Sequence, residues 1–146
     1  EHMDLAIAEG QLVLIHTPHM EDKLKGTRII LSALKNRPDL SPDRVLVDHC
    51  EEHTLPLVRE AGYWAGLTLY PTSKLTPSRA ADMLEVYGHD RVWVNSACDW
   101  GDSDPLAVPR LGMELARRGW SRSDIETIVL KNPAVFMGGS PHFRGV

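Results

Sequence analysis

The chain has 146 residues, the size of one ordinary domain, and its 42% hydrophobic and 25% charged content is that of a globular protein. No apolar run approaches the roughly 20 residues that cross a bilayer as a helix, and no secretory pattern opens the sequence. The net charge is −4, and basic residues come in nothing longer than short pairs such as Arg117-Arg118, which argues against a nucleic-acid surface.

The opening stretch EHMDLAIAEG reads as the end of a helix already under way, so the start is expected to be a cut and not a natural terminus. The first apolar run, LVLIH, ends at His16. Behind it Leu24, Ile29, Ile30, Leu31 and Leu34 recur at spacings that suit one face of a helix. NRPDLSPD then breaks the pattern with two prolines. The second run, RVLVDH, ends at His49, and EEHTLPLVREAG after it predicts a short helix closed by Gly62. The third run is YWAGLTLYP. Thr76 then offers an N-cap, Pro77 suits the first helical position and Gly88 closes the segment PSRAADMLEVYG. The fourth run, RVWVNSACD, ends at Asp99, and PLAVPRLGMELARRG beyond it predicts a helix. In SRSDIETIVLKNPAVFMGG a Ser-x-x-Asp signal starts a helix carrying Ile125, Ile128 and Val129 on one face, and Asn132-Pro133 is expected to break it before a short final turn.

Strands alternating with helical segments are the signature of βαβ units and a parallel sheet. The runs are apolar at nearly every position, as strands covered on both faces require. His16 and His49 lie 33 positions apart, close to the ~30 residues of one βαβ unit. No linker or low-complexity segment interrupts the chain, so residues 1–146 are expected to form a single domain.

In parallel α/β folds functional groups gather at the C-terminal ends of the strands. Here those ends carry His16 and His19, His49, Tyr70 and Asp99, with Asp102 and Asp104 just beyond. Histidine and aspartate ligate divalent metals and serve as general bases. His16 and His49 also have a plainer reading as buried, backbone-bonded histidines, and Asp99 as the acceptor of an Asx-turn. His19, past Pro18 on a loop, is placed to contact substrate or to be solvated. Side chains alternate along a strand, so Asp48 is expected opposite His49, as a cap or an ion-pair partner. Asp102 and Asp104 suit a helix N-terminus. Lys23 and Arg28 read as a solvated helix face, Tyr70 and Trp100 as pocket walls, and His53 and His142 as surface residues. Cys50 and Cys98 form no Cys-x-x-Cys pair, which fits small buried residues in a reduced, cytoplasmic setting. No glycine-rich dinucleotide turn, phosphate loop or nucleophile elbow is present in the sequence.

The stretches VLIHTPH, VLVDHC and VNSACDWGDSDPLAVP, with the closing IETIVLKNPAVF, together resemble the TatD-related metal-dependent hydrolases of the amidohydrolase superfamily. The resemblance runs over nearly the whole chain. It implies the C-terminal half of a (β/α)8 TIM barrel: four parallel strands alternating with helices, strands five to eight of the family barrel. It implies that His16 and His49 match the metal-ligand histidines of the fifth and sixth strands. Asp99 would match the eighth-strand aspartate that binds metal and activates water, and YWAGLTLYP would be the seventh strand. The family's first-strand His-x-His, and its acidic residue or modified lysine on the fourth strand, find no match here.

The function so implied is metal-assisted hydrolysis of an ester, amide or phosphoester bond in a small-molecule substrate. The ion would be divalent, zinc first, with manganese or magnesium as alternatives. His16, His49 and Asp99 would be ligands, Asp99 also the catalytic base, and His19 a substrate contact. Two rivals stand beside it: a metal-dependent deoxyribonuclease, and a non-catalytic half-barrel that assembles with another half, or with its own copy, through exposed strand edges. An isomerase or aldolase on the same fold is a third, disfavoured by the lack of a phosphate-binding glycine loop.

Overall fold

The computed structural model describes residues 1–17, 22–97 and 102–145. Its centre is a four-stranded, all-parallel sheet in the order β1-β2-β3-β4, with β1 Val13–His16, β2 Val45–Asp48, β3 Trp64–Leu69 and β4 Val92–Ser96. Each strand is thus hydrogen-bonded to the next one in the chain, as successive βαβ units require. Helix α1 (His2–Ala8) precedes the sheet. Helices α2 (Lys23–Lys35), α3 (Leu55–Glu60) and α4 (Pro77–Tyr87) connect the first strand to the second, the second to the third and the third to the fourth. Helix α5 (Ala107–Arg117) follows β4, and α6 (Arg122–Glu126) and α7 (Asn132–Met137) come after it.

The two faces of the sheet do different work. Val45, Val47, Ala65, Leu67, Leu69, Val92 and Val94 point to the helices and pack there with Leu34, Leu55, Val58, Leu84, Leu111 and Leu115 in the main core. The alternate residues form the other, inner face. At its lower end Leu46 and Trp64 are buried against Phe136 of α7, with Leu12, Trp93 and Met137 packed around them. Farther along the same strands the inner face turns polar, at His16, Asp48, Thr68 and Asn95. In the full-barrel geometry the inner face would be the barrel interior. Here Leu14 on that side of β1 is 45% exposed.

The local signals hold where they are strongest. The Thr76 hydroxyl accepts from the Arg79 amide at 3.2 Å, Pro77 opens α4, and Gly88 ends it with φ +74°, in the left-handed region that costs glycine little. The Ser121 hydroxyl accepts from the Asp124 amide at 3.1 Å to start α6. Asp104 accepts from the Leu106 amide at 2.9 Å at the approach to α5, the helix-entry role expected of it. Ile29, read as part of the apolar face of α2, is instead 61% exposed.

Asn132-Pro133 does not break the last helical segment. Thr127–Lys131 forms a π-helical turn between α6 and α7, and the backbone stays helical through Asn132, at φ −58° and ψ −50°. A π turn is wider than an α turn, which relieves the clash of the proline ring with the preceding turn. Asn132 also ties the turn to the sheet by donating from Nδ2 to the carbonyls of His89 (2.8 Å) and Val92 (2.6 Å).

Candidate metal centre

His16 ends β1, and the register pairs it directly with Asp48 at the end of β2. Both therefore project from the inner face. His49 follows Asp48 and leaves the strand at φ +63°, a left-handed conformation uncommon for a residue with a Cβ. This corrects the alternation argument. Asp48 does not point away from the histidines, because the strand ends there and the positive φ swings the His49 ring back to the same mouth.

Polar contacts hold that conformation from both sides of the residue. The His49 amide donates to Asp48 Oδ1 at 2.7 Å, and Lys23 Nζ donates to the His49 carbonyl at 2.7 Å and to Glu51 Oε1 at 3.0 Å. The Lys23 side chain is only 9% exposed, so it is a buried clasp between α2 and the end of β2 and not a solvated helix residue.

The two imidazoles meet edge to edge. His16 Nδ1 lies 2.9 Å from His49 Nε2, with ring centroids 4.8 Å apart. The other ring nitrogen of His49, Nδ1, lies 2.7 Å from Thr68 Oγ1, and the Thr68 hydroxyl donates to Asp48 Oδ1 at 3.0 Å. Asn95 Nδ2 sits 3.2 Å from each oxygen of the Asp48 carboxylate. That side chain is 6% exposed, whereas His16 is 65% exposed and opens onto the mouth. Gly66 makes the arrangement possible, since a Cβ there would stand 2.2 Å from Asp48 Oδ1.

His16, Asp48 and His49 each offer one ligand atom, and these atoms lie within 4.8 Å of one another. Two nitrogens held ~2.0–2.1 Å from a tetrahedral zinc stand roughly 3.3–3.4 Å apart. The 2.9 Å between His16 Nδ1 and His49 Nε2 is within half an ångström of that spacing. Imidazole nitrogens are donors that hydrolytic zinc takes, and a carboxylate beside them favours a cation. The residues present fit a divalent ion.

The comparisons with known proteins point the same way. The chain is 26% identical over 136 residues to a Methanocaldococcus jannaschii protein named as an uncharacterized metal-dependent hydrolase, covering 93% of this chain and 53% of that protein. The crystal structure of a TatD-like protein from Archaeoglobus fulgidus superimposes with a TM-score of 0.70 at 23% identity, covering 92% of this chain and 51% of that one. The fold is a half-barrel similar to that of the TatD-like protein. The chain spans about half the length of the relatives it matches. No protein-family model matches it.

Within this half-barrel the structure brings His16 and His49 together. His19 and Asp99, the expected substrate contact and the expected ligand and base, lie outside the described residues, as do Cys98 and Trp100. Cys50 is buried and donates from Sγ to the Val47 carbonyl at 3.3 Å. Burial pushes its thiol up to about 12, which suits an inert core residue and not a metal thiolate. Tyr70 is buried beside Leu75, Thr76, Asp104 and Arg110 around a cavity of about 160 Å³, so its expected place in a pocket wall holds. His53 and His142 are exposed, as expected.

Asp48, Thr68, Asn95, Gly66 and Lys23 are the residues that sequence reasoning did not bring to the site. For Thr68 and Asn95 a signal existed: each is a polar residue next to last in its strand, after an apolar run, in WAGLTL and VWVNS.

Burial lowers the His49 imidazole from its ordinary 6.5 to about 4, with Asp48 pulling the other way. The folded chain therefore keeps His49 neutral, the form that ligates metals, across the physiological range. The unfolded chain takes up a proton there near 6.5. Between about 4 and 6.5 the unfolded state binds the extra proton, so stability falls as pH drops through that window and is untouched by this group above it. Urea unfolding midpoints of the metal-free chain between pH 4 and 7.5 check this. His49→Gln should fall less steeply than the native chain, and superimposable profiles would contradict the assignment.

Proposed function

We propose that this chain supplies one half of the active site of a metal-dependent hydrolase. One observation carries the reading: imidazoles from the ends of two adjacent parallel strands converge to 2.9 Å beside a buried carboxylate, with their ligand atoms within 4.8 Å. The names of the Methanocaldococcus relative and the TatD-like structure support it.

In this reading the four strands are the C-terminal half of the barrel. His16 Nδ1 and His49 Nε2 hold a divalent ion, zinc first and manganese or magnesium as alternatives. Asp99, three residues after the last residue of β4 in the sequence, is the further ligand and the group that takes the proton from the attacking water. His19, three residues after His16 in the sequence, contacts a small-molecule substrate. A bound ion lowers the pKa of a water toward about 7 and polarises a carbonyl or phosphoryl oxygen, which suits an ester, amide or phosphoester bond.

Zinc titration of the chelator-treated chain by calorimetry tests the assignment. His16→Ala, His49→Ala and Asp99→Ala should each weaken binding by more than about 100-fold, beyond the range of an outer-shell partner. Native affinity in all three would reject the site.

A further inference from the structure

Asp48 sits within reach of the proposed metal site, yet its oxygens are engaged elsewhere. Oδ1 accepts from the His49 amide, from Thr68 Oγ1 and from Asn95 Nδ2, and Oδ2 accepts from Asn95 Nδ2. The nearest ring nitrogens stand off at 3.8 Å (His16 Nδ1) and 3.7 Å (His49 Nδ1) from Oδ2. The consequence of this network falls on His49.

An ionised carboxylate only accepts hydrogen bonds. The hydrogen between Thr68 Oγ1 and Asp48 Oδ1 must therefore come from the threonine, which has one to give. The Thr68 oxygen is then left as an acceptor for its 2.7 Å contact with His49 Nδ1. That contact needs a hydrogen on Nδ1. A neutral imidazole with its hydrogen on Nδ1 has its lone pair on Nε2, the atom that faces His16.

We infer that Asp48 and Thr68 are positioning residues that fix the tautomer of His49, turning the Nε2 lone pair toward the mouth between the strands. The inference rests on the reading of this mouth as a metal site and deepens it. It gives a buried aspartate a task other than ligation: orienting a ligand from behind, through one hydroxyl. Partners that hold the far nitrogen of a metal-binding histidine commonly do this. The placement follows from the fold. Thr68 and Asn95 are register partners on β3 and β4, and Gly66, two residues before Thr68, leaves the gap that Asp48 fills.

The test is made on the whole chain with 15N-labelled histidine and chelator, at a pH where imidazole is neutral. Long-range 1H–15N correlation spectra should show the His49 hydrogen on Nδ1. Thr68→Val removes the acceptor while keeping the side-chain shape, and should move that hydrogen toward Nε2 and weaken zinc binding by about 10- to 100-fold. Thr68→Ser keeps a hydroxyl and should restore both the spectrum and the affinity to within about 3-fold of the native chain, which a purely structural role for the hydroxyl would not require. A hydrogen on Nε2 in the native chain overturns the inference, as does a Thr68→Val protein with native tautomer and native affinity. Zinc lost in Asp48→Asn but kept in Thr68→Val also overturns it, making the carboxylate a direct ligand. A native chain that shows Nδ1–H but holds no zinc supports the tautomer assignment and sinks the metal reading, so the two failures are distinct.

Discussion

Gly66→Ala is expected to cost about 4 kcal/mol of stability and, in whatever remains folded, to disrupt the His49 site. An added Cβ would stand 2.2 Å from Asp48 Oδ1, 2.9 Å from its Cγ and 3.1 Å from its Cα. Backbone and side chain are both in the way, so a rotamer change alone does not clear the contact. The carboxylate is also pinned by the His49 amide, Thr68 and Asn95. Overpacking a tight site costs about 1–3 kcal/mol, and each hydrogen bond to a charged group that breaks adds roughly 1.5–3 kcal/mol. Gly112→Ala is the contrast. Gly112 lies inside α5, where a Cβ would meet only Ile125 Cγ2 at 3.6 Å. Alanine there should be neutral to stabilising, by up to about 1 kcal/mol. Urea denaturation of the two variants against the native chain decides the matter. Equal midpoints for native and Gly66→Ala would show that Asp48 can move aside freely.

Phe136→Ala is expected to cost about 4 kcal/mol while leaving zinc affinity within a few-fold of native. Phe136 is 1% exposed and meets Trp64 and Trp93 edge-on, with ring centroids 5.8 and 5.5 Å away. Removing it leaves a cavity under two indoles and releases the contact that docks α7 on the inner face. Trp64 lies four residues before Thr68 on β3, roughly 13 Å along an extended strand. Packing loss at one end should therefore leave the polar end intact. Indole fluorescence follows the packing and calorimetry the zinc. A Phe136→Ala protein that loses zinc as completely as His49→Ala would show that the two ends of the inner face are coupled.

The pair of variants separates two kinds of glue on one sheet face. At the lower end apolar rings are held by area and shape, so the loss is graded and local. At the upper end one carboxylate organises three strands through hydrogen bonds in a buried place, where an unmet partner is costly. His49 is set there from behind by Thr68 and Asp48, and Lys23 holds its carbonyl in the left-handed turn.

Much of this could be read from residues taken a few at a time. LVLIH, RVLVDH, YWAGLTLYP and RVWVNSACD each contain a strand because their apolar runs are short and bounded by turn-forming residues. Thr76, Pro77 and Gly88 bound α4 because a cap, a fixed φ and a left-handed exit are each properties of one residue and its near neighbours. That His16 and His49 stand at strand ends also follows from the runs themselves. The rest was settled between segments. Asp48 faces the histidines because β1 and β2 pair in a register that sets it beside His16, and because His49 takes a positive φ that alternation along one strand cannot foresee. Thr68 and Asn95 reach it only across strand pairings, and Gly66 is needed only once the Asp48 carboxylate lies against its Cα. The last helical segment runs on through Asn132-Pro133 because a π turn and two bonds from the Asn132 amide to β4 and its approach outweigh the local break signal. Periodicity and caps act within one segment and were visible in it. Which side chains share a mouth depends on dihedrals and registers fixed by contacts among segments far apart in the chain, and those exist only in the folded protein.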